Sequence, residues 1–540
     1  MGKRIKELLE KIKLKEMVLP EFQREYTWNR NQVKELFVSL FNNYPTGSLL
    51  IWETSDPPKI KNDAYDLESV RRVEVLLDGQ QRLTSLYLNI IGEVPPFYNP
   101  EEIKESFFDL YFNLKTGRFK YYKQKEMKKN PFWYKVIELF KDPPSVFNLL
   151  NELEEIELED KNELGSKIED NLSQIRSILD KEYPIQSVPT DSDLGEAIKV
   201  FDLINSQGTP LTNADIALAY MTAEWPDIRR KFKEKLSELA QERFDDLDLS
   251  FMTHAMTAIL SGRGSLRDFV KTDKSYITAD NLKEAWNQLD EKLDYLVSFL
   301  KNEAYIVGTD DINTPYVLIP IIAFLAEVEW LNKTTKKKIL YWFYAALYQR
   351  RFSSSPETSL EQDVTAILNG KDPQILIRNL KEEEGDPTLT SDRLDMRGIR
   401  HPIYNMMCIV IRSNGAVDWN NGLSLMNNTG DEFKIERHHI FPKSILKNNG
   451  WGDNGNQYSK KRMHEIANRI PLTKSGNMEI FNKHPKDYLP EVQEKQPKVL
   501  ERSLVPTDPE MWKIENYEQF LEKRRKLIAE GINEFMNNLL

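Results

Sequence analysis

Cysteine is almost missing from this 540-residue chain; Cys408 is the single one. Its isolation excludes an intramolecular disulfide and every zinc site built from several thiolates. It sits in YNMMCIVI, where a small buried hydrophobe is expected. Long apolar runs are missing too. The longest, VLIPIIAFLA at residues 317–326, is interrupted by Pro320 and falls well short of the ~20 residues that span a bilayer. The opening segment MGKRIKELLEKIKLKEM mixes charge with apolar residues at helical spacing, so it lacks the apolar core of a signal peptide. Lys6 breaks the myristoylation pattern. No GxxxxGK[ST] phosphate loop occurs. What remains is a cytoplasmic chain of soluble composition, 40% hydrophobic and 29% charged. It is long enough for roughly two to four domains.

Acidic residues exceed basic ones, for a net charge of −11, which argues against a surface coated throughout with nucleic acid. The distribution is uneven. Between Lys434 and Lys486 stand eleven Lys or Arg against four Asp or Glu, a local balance of +7. The chain reads as α+β and mostly helical, in three blocks. Residues 1–190 mix strand-like runs (SLLIWE, RRVEVLLDG) with helical ones (NQVKELFVSLFNNY, QQRLTSLYLNII). The acidic stretch 152–170 reads as a solvated helix face or connector. Residues 191–385 are helical in pattern, and the polar linker LKEEEGDPTLTSDRLDMRG marks a boundary before a last block, 390–540.

Histidine is scarce, six in all, yet two stand together at His438 and His439 in FKIERHHIFPKS. Nothing in FKIERHHI breaks a strand. A Gly- and Asn-rich loop follows, then a second short strand entered through Asn468-Arg469-Ile470, then Ser475-Gly476-Asn477 before a helical run. Phosphodiester hydrolysis needs a base for water, which neutral imidazole supplies near pH 7, and a hard cation on the scissile phosphate. Neighbours on a strand point to opposite faces, so a histidine pair can divide the two tasks. An Asn on the facing strand can fix the base, and a second Asn oxygen can complete a metal site.

This order of residues resembles HNH endonucleases of the ββα-metal fold, in their HHIFP…N…N form. The resemblance implies His439 as general base, His438 and Asn477 as ligands of Mg²⁺ or another divalent cation, and Asn468 as the residue that positions the base. Lys483 falls where related nucleases carry a basic residue near the phosphate, and Lys443, Arg469 and Lys474 are the further expected nucleic-acid contacts. His464 and His484 match no position of the pattern and are expected at the surface. An HNH-shaped DNA-binding module without cleavage is the alternative.

At the other end, EVLLDGQQRLTSLYL places Asp78-Gly79 at a strand end and Gln80-Gln81-Arg82 at a helix start, an arrangement suited to an anion. A sharp β–α turn with a surface Arg is the plainer reading. LPEFQREYTWNRNQV and VFDLINSQGTPLTNADIALAYM add a polar-aromatic cluster and a helix break, with Thr212 and Asp215 at capping-box spacing. Together the three stretches resemble the N-terminal domain of GmrSD-type modification-dependent restriction enzymes, which is similar to the ParB/sulfiredoxin fold. The resemblance implies a nucleoside triphosphate bound or hydrolysed at Asp78, Gly79, Gln80, Gln81 and Arg82, with Arg24 and Asn205 behind them. Arg351 and Asp363 resemble a recurrent family feature of unknown role. The function implied is an NTP-regulated, metal-dependent DNA endonuclease that restricts foreign, modified phage DNA, with a homodimer or sequential nicks for double-strand cutting. A ParB-like nucleotide-gated DNA switch with an inactive HNH module and a toxin acting on RNA are the competing readings.

Overall fold

The computed structural model describes residues 2–23, 25–55, 57–62, 72–151, 158–192, 194–205, 212–271, 275–426, 434–452 and 456–540. It is α+β and mostly helical, and its residues fall into two compact units, Met1–Arg229 and Arg230–Leu540.

The first unit is built on a five-stranded mixed sheet. Its strands are β1 (Gly2–Arg4), β2 (Met17–Val18), β3 (Leu49–Thr54), β4 (Val73–Asp78) and, from late in the unit, β8 (Glu182–Val188). Their order is β1-β8-β3-β4-β2. β3 is the central strand, antiparallel to β4 and parallel to β8. Both expected runs, SLLIWE and RRVEVLLDG, are therefore strands, and their lack of polar alternation has a cause: the sheet is covered on both faces. Leu49 and Ile51 point into one core with Ile5, Leu8 and Ile12 of helix α1 (Ile5–Lys13) and with Leu83 and Leu86. Leu50 and Trp52 point into the other core, with Val73, Val75 and Leu77 of β4. That second face is closed by Ala197, Ile198 and Phe201 of a helix at Leu194–Asn205 and by Ala219 of another at Asn213–Glu224. The two helices thus belong with the sheet, although their sequence groups them with the helical block that follows. The second of them starts as its capping box requires: Thr212 Oγ1 accepts from the Asp215 N–H at 3.1 Å, and Asp215 accepts from the Thr212 N–H at 3.0 Å. A satellite sheet, β6-β5-β7 (β5 Leu110–Asn113, β6 Arg118–Tyr121, β7 Trp133–Lys135), packs Phe112 and Phe119 into the first core.

Of the acidic stretch, residues 152–157 lie outside the described ones. The rest forms a helix, Leu158–Arg176, with Ile168 and Ile175 fully buried, so it is more than a solvated face.

The second unit holds the rest of the helical block together with the histidine-bearing segment. The apolar run VLIPIIAFLA becomes a short helix, Leu318–Ala326, every residue of which up to Leu325 is buried. No described helix is long and apolar enough to cross a membrane. Cys408 is buried as expected, and desolvation pushes its thiol up to about 11. Arg351 and Asp363 form a buried ion pair joined by Glu383.

Candidate active site

The histidine pair ends strand β9 (Ile435–His439), which pairs antiparallel with β10 (Arg469–Thr473). The register sets His438 opposite Ile470 and His439 opposite Arg469. A helix, Lys474–Ile480, follows β10 directly. Its entry is fixed by Asp418, fully buried, whose Oδ2 accepts from both the N–H and the Oγ1 of Thr473 at 2.8 Å; Thr473 in turn caps the Gly476 N–H at 3.1 Å. A Cβ at Gly476 would lie 2.4 Å from the same carboxylate, so glycine is required there. Asn477 consequently sits one turn inside the helix, not at its start, and faces the hairpin.

On one side of the hairpin, His438 Nδ1 and Asn477 Oδ1 meet at 2.5 Å. The Asn477 amide also donates to Glu436, which lies two residues before His438 and so on the same strand face. An imidazole, an amide oxygen and a carboxylate converge. With Nδ1–H donated to Asn477, the lone pair of His438 lies at Nε2, which is buried and has no hydrogen-bond partner. The other tautomer would set two lone pairs against each other across 2.5 Å and is disfavoured. Nε2 is therefore the unspent nitrogen of the ring. Burial holds His438 down to about 4, so the ring is neutral and free to ligate at physiological pH. An imidazole nitrogen with an amide and a carboxylate oxygen close by is chemically the kind of donor set that suits Mg²⁺, Mn²⁺ or Zn²⁺.

On the other side, His439 is engaged through both ring nitrogens. Arg469 Nη1 donates to its Nδ1 at 3.0 Å, and its Nε2 lies 3.3 Å from His464 Nδ1. Arg469 Nη2 reaches the same His464 nitrogen at 3.1 Å. Burial pulls His439 far below its usual range, and the positive charges of Arg469 and Lys443 deepen the shift. Burial likewise pulls Arg469 down to about 10.

Three expectations change here. Asn468 makes no described contact with His439. It is fully buried, and its amide closes the strand end instead, with Oδ1 accepting from the Phe441 N–H at 2.8 Å and Nδ2 donating to Phe441 O at 3.1 Å and Met463 O at 3.2 Å. The side chain that touches the base is Arg469, which is buried and turned inward, not displayed to solvent. His464, expected at the surface, is half-buried and packs against His439 with ring centroids 5.4 Å apart. Lys443 and Lys483 are exposed and Lys474 is half-exposed. The C-terminal helix Tyr517–Asn537 braces the site from behind. Arg524 donates to Ala467 O at 2.8 Å, and Arg525 pairs with the buried Glu465 at 2.7 Å.

In the first unit, Gly79 takes φ +99°, and the turn delivers helix Gln80–Leu86. The polar side chains of DGQQR are largely spent inside the protein. Gln81 Oε1 accepts from the Thr27 and Trp28 N–H groups at 2.9 and 3.1 Å, and its Nε2 donates to Glu25 O at 3.0 Å. Arg82 donates to Thr46 O, Ser48 O and Asp78 at 2.6, 2.7 and 2.9 Å. Gln80 bonds to Tyr98. The motif therefore clamps two loops to the sheet edge, and Arg82 holds no free guanidinium for a phosphate. Arg24 and residues 206–211 lie outside the described residues; Asn205 ends its helix there.

The hairpin and the helix after it thus carry a one-sided donor cluster and, on the opposite face, a second histidine. Residues 5–222 match the family model described as GmrSD restriction endonuclease, N-terminal domain. The matched range ends with the two helices that close the sheet. Along its whole length the chain is also similar to the uncharacterized protein MJ0686 of Methanocaldococcus jannaschii, 24% identical over 606 aligned residues that cover 99% of each chain.

Proposed function

We propose that the protein is a restriction endonuclease whose second unit cuts DNA at the β9–β10 hairpin and whose first unit regulates that cutting. The observation that carries the reading is the convergence of His438, Asn477 and Glu436 on one face, with His439 on the other and lysines around them. His438 and Asn477 would hold Mg²⁺ or a similar ion, with Glu436 as third donor. The bound cation supplies Lewis acidity at the scissile phosphate. His439 accepts a proton from water, whose oxygen bonds to phosphorus as the bond to the 3′ oxygen breaks; solvent returns a proton to the leaving oxygen. Asn468 keeps the strand end in place, and His464 receives the Nε2–H of His439 and so sets its tautomer.

For the first unit we infer a nucleoside triphosphate site at the Asp78–Arg82 turn, supported by the family match across it. The Gln81 and Arg82 side chains serve the fold, and Arg82 also holds the Asp78 carboxylate. Modified phage DNA is the proposed substrate. The test is cleavage of modified and unmodified phage DNA with and without each triphosphate. Cutting that depends on modification and nucleotide supports the whole reading. Retention of DNA with no cut under any condition would leave a nucleotide-gated DNA switch instead.

A further inference from the structure

Arg469 is unlike most other buried arginines of its unit. Arg412 pairs with Asp311, Arg351 with Asp363, and Arg462 and Arg525 with Glu465. Arg524 has no carboxylate either; it donates to two backbone carbonyls and leaves Nη2 without a partner, but no imidazole lies against it among the described residues. Arg469 is 7% exposed and, among the described residues, has no carboxylate partner, only the Arg437 carbonyl and two imidazole nitrogens; its Nε bonds to nothing. An uncompensated buried cation is costly, and an incoming anion at its open side would offset that cost. The surroundings point the same way, because Lys443, Lys447 and Lys460 all act on His464, and no acidic group does so to comparable degree.

Counting donors adds a second constraint. Guanidinium only donates, so the His439 Nδ1 it contacts must be the unprotonated nitrogen, and Nε2 carries the hydrogen that points at His464. A neutral imidazole has one lone pair available for a proton. In the free protein Arg469 occupies it.

We propose that Arg469 is the phosphate ligand of this site and a cap on its base: a DNA phosphodiester entering beside His464 takes over the guanidinium and frees His439 Nδ1 to accept the proton of water. The inference rests on the nuclease reading. It assigns Arg469 two successive partners, makes activation of the base depend on substrate, and gives His464 the task of holding the imidazole while the partners change.

The test uses the full chain as wild type, Arg469→Ala, Arg469→Lys and His439→Ala, each first checked for an unaltered thermal transition. Duplex DNA binding is followed by fluorescence anisotropy in EDTA over a salt series. Arg469→Ala should lower the slope of log affinity against log salt by about one, and Arg469→Lys should keep it. Plasmid nicking with Mn²⁺ should fall about 100-fold in Arg469→Ala. Millimolar guanidinium should restore it there but not in His439→Ala. An unchanged salt slope, wild-type nicking in Arg469→Ala, or no rescue would overturn the proposal. If the wild type binds DNA but never cuts, the nuclease reading fails, while the salt slope still decides whether Arg469 meets a phosphate.

Discussion

Asn468 is where the structure makes its sharpest demand on stability. Its amide is fully buried and makes three hydrogen bonds, two to Phe441 and one to Met463. Replacing it by Ala strands a backbone N–H and two carbonyls in an interior formed by Phe441, Tyr517 and Phe520. Each lost bond costs about 1 kcal/mol net, and more where the stranded group stays dry, so Asn468→Ala should cost about 3 to 5 kcal/mol. That is a large share of the ~5–15 kcal/mol of an ordinary domain. Asn468→Asp separates the roles. It keeps the acceptor for the Phe441 N–H but turns a carboxylate oxygen toward two carbonyls, so at pH 7 it should be no better than Ala. Protonation restores one donor, so Asn468→Asp should recover stability as the pH falls toward 5. Urea unfolding followed by tryptophan fluorescence measures both variants. An Asn468→Ala protein within 1 kcal/mol of wild type that no longer cuts would refute the reasoning and return Asn468 to the base.

Further expectations concern the metal face, acid and the N-terminal turn. His438→Ala and Asn477→Ala should each weaken Mn²⁺ binding at least about tenfold by calorimetry, and Glu436→Gln should weaken it by a smaller factor. His438 is neutral in the fold, with its pKa lowered to about 4. Below pH ~6.5 the unfolded chain takes up a proton that the folded chain refuses, so stability is full above that pH and is lost as the pH falls toward 4, by up to about 3 kcal/mol. Urea midpoints at pH 7.5 and 5 should therefore differ less in His438→Asn than in wild type. Gly79→Ala combines φ +99° with a Cβ only 2.1 Å from Leu49 Cδ2, so it should destabilise the first unit by about 2 kcal/mol or more in a thermal scan.

Much of this was legible because local chemistry left few options. Two short apolar runs, each ending in a turn, could only be strands, and the capping box at Thr212 fixed a helix start to the residue. The alternation rule separated His438 from His439, and applied two residues further back it would also have found Glu436. Other features had no local signature. Which core the helix at Leu194–Asn205 serves depends on a sheet whose last strand is β8, and an amphipathic pattern does not name its partner. The loop signal of NNGWGDNGNQ hid a helix, Gln457–Met463, that ends at His464 and swings it against His439. Arg469 is expected as a nucleic-acid contact from its place in a basic segment; only the strand register sets it opposite His439 and turns it inward. The DGQQR motif shows the reverse case, where residue types suited to an anion are consumed by backbone carbonyls and amides that sequence cannot place.

The most direct measurement is a time course of supercoiled plasmid with Mn²⁺ or Mg²⁺, comparing wild type with His439→Ala at equal DNA occupancy. Wild type should convert the plasmid to nicked or linear form, and the variant should bind it yet cut at least about 100-fold more slowly, the share a positioned base contributes. Equal cutting by both proteins would contradict the account at its centre.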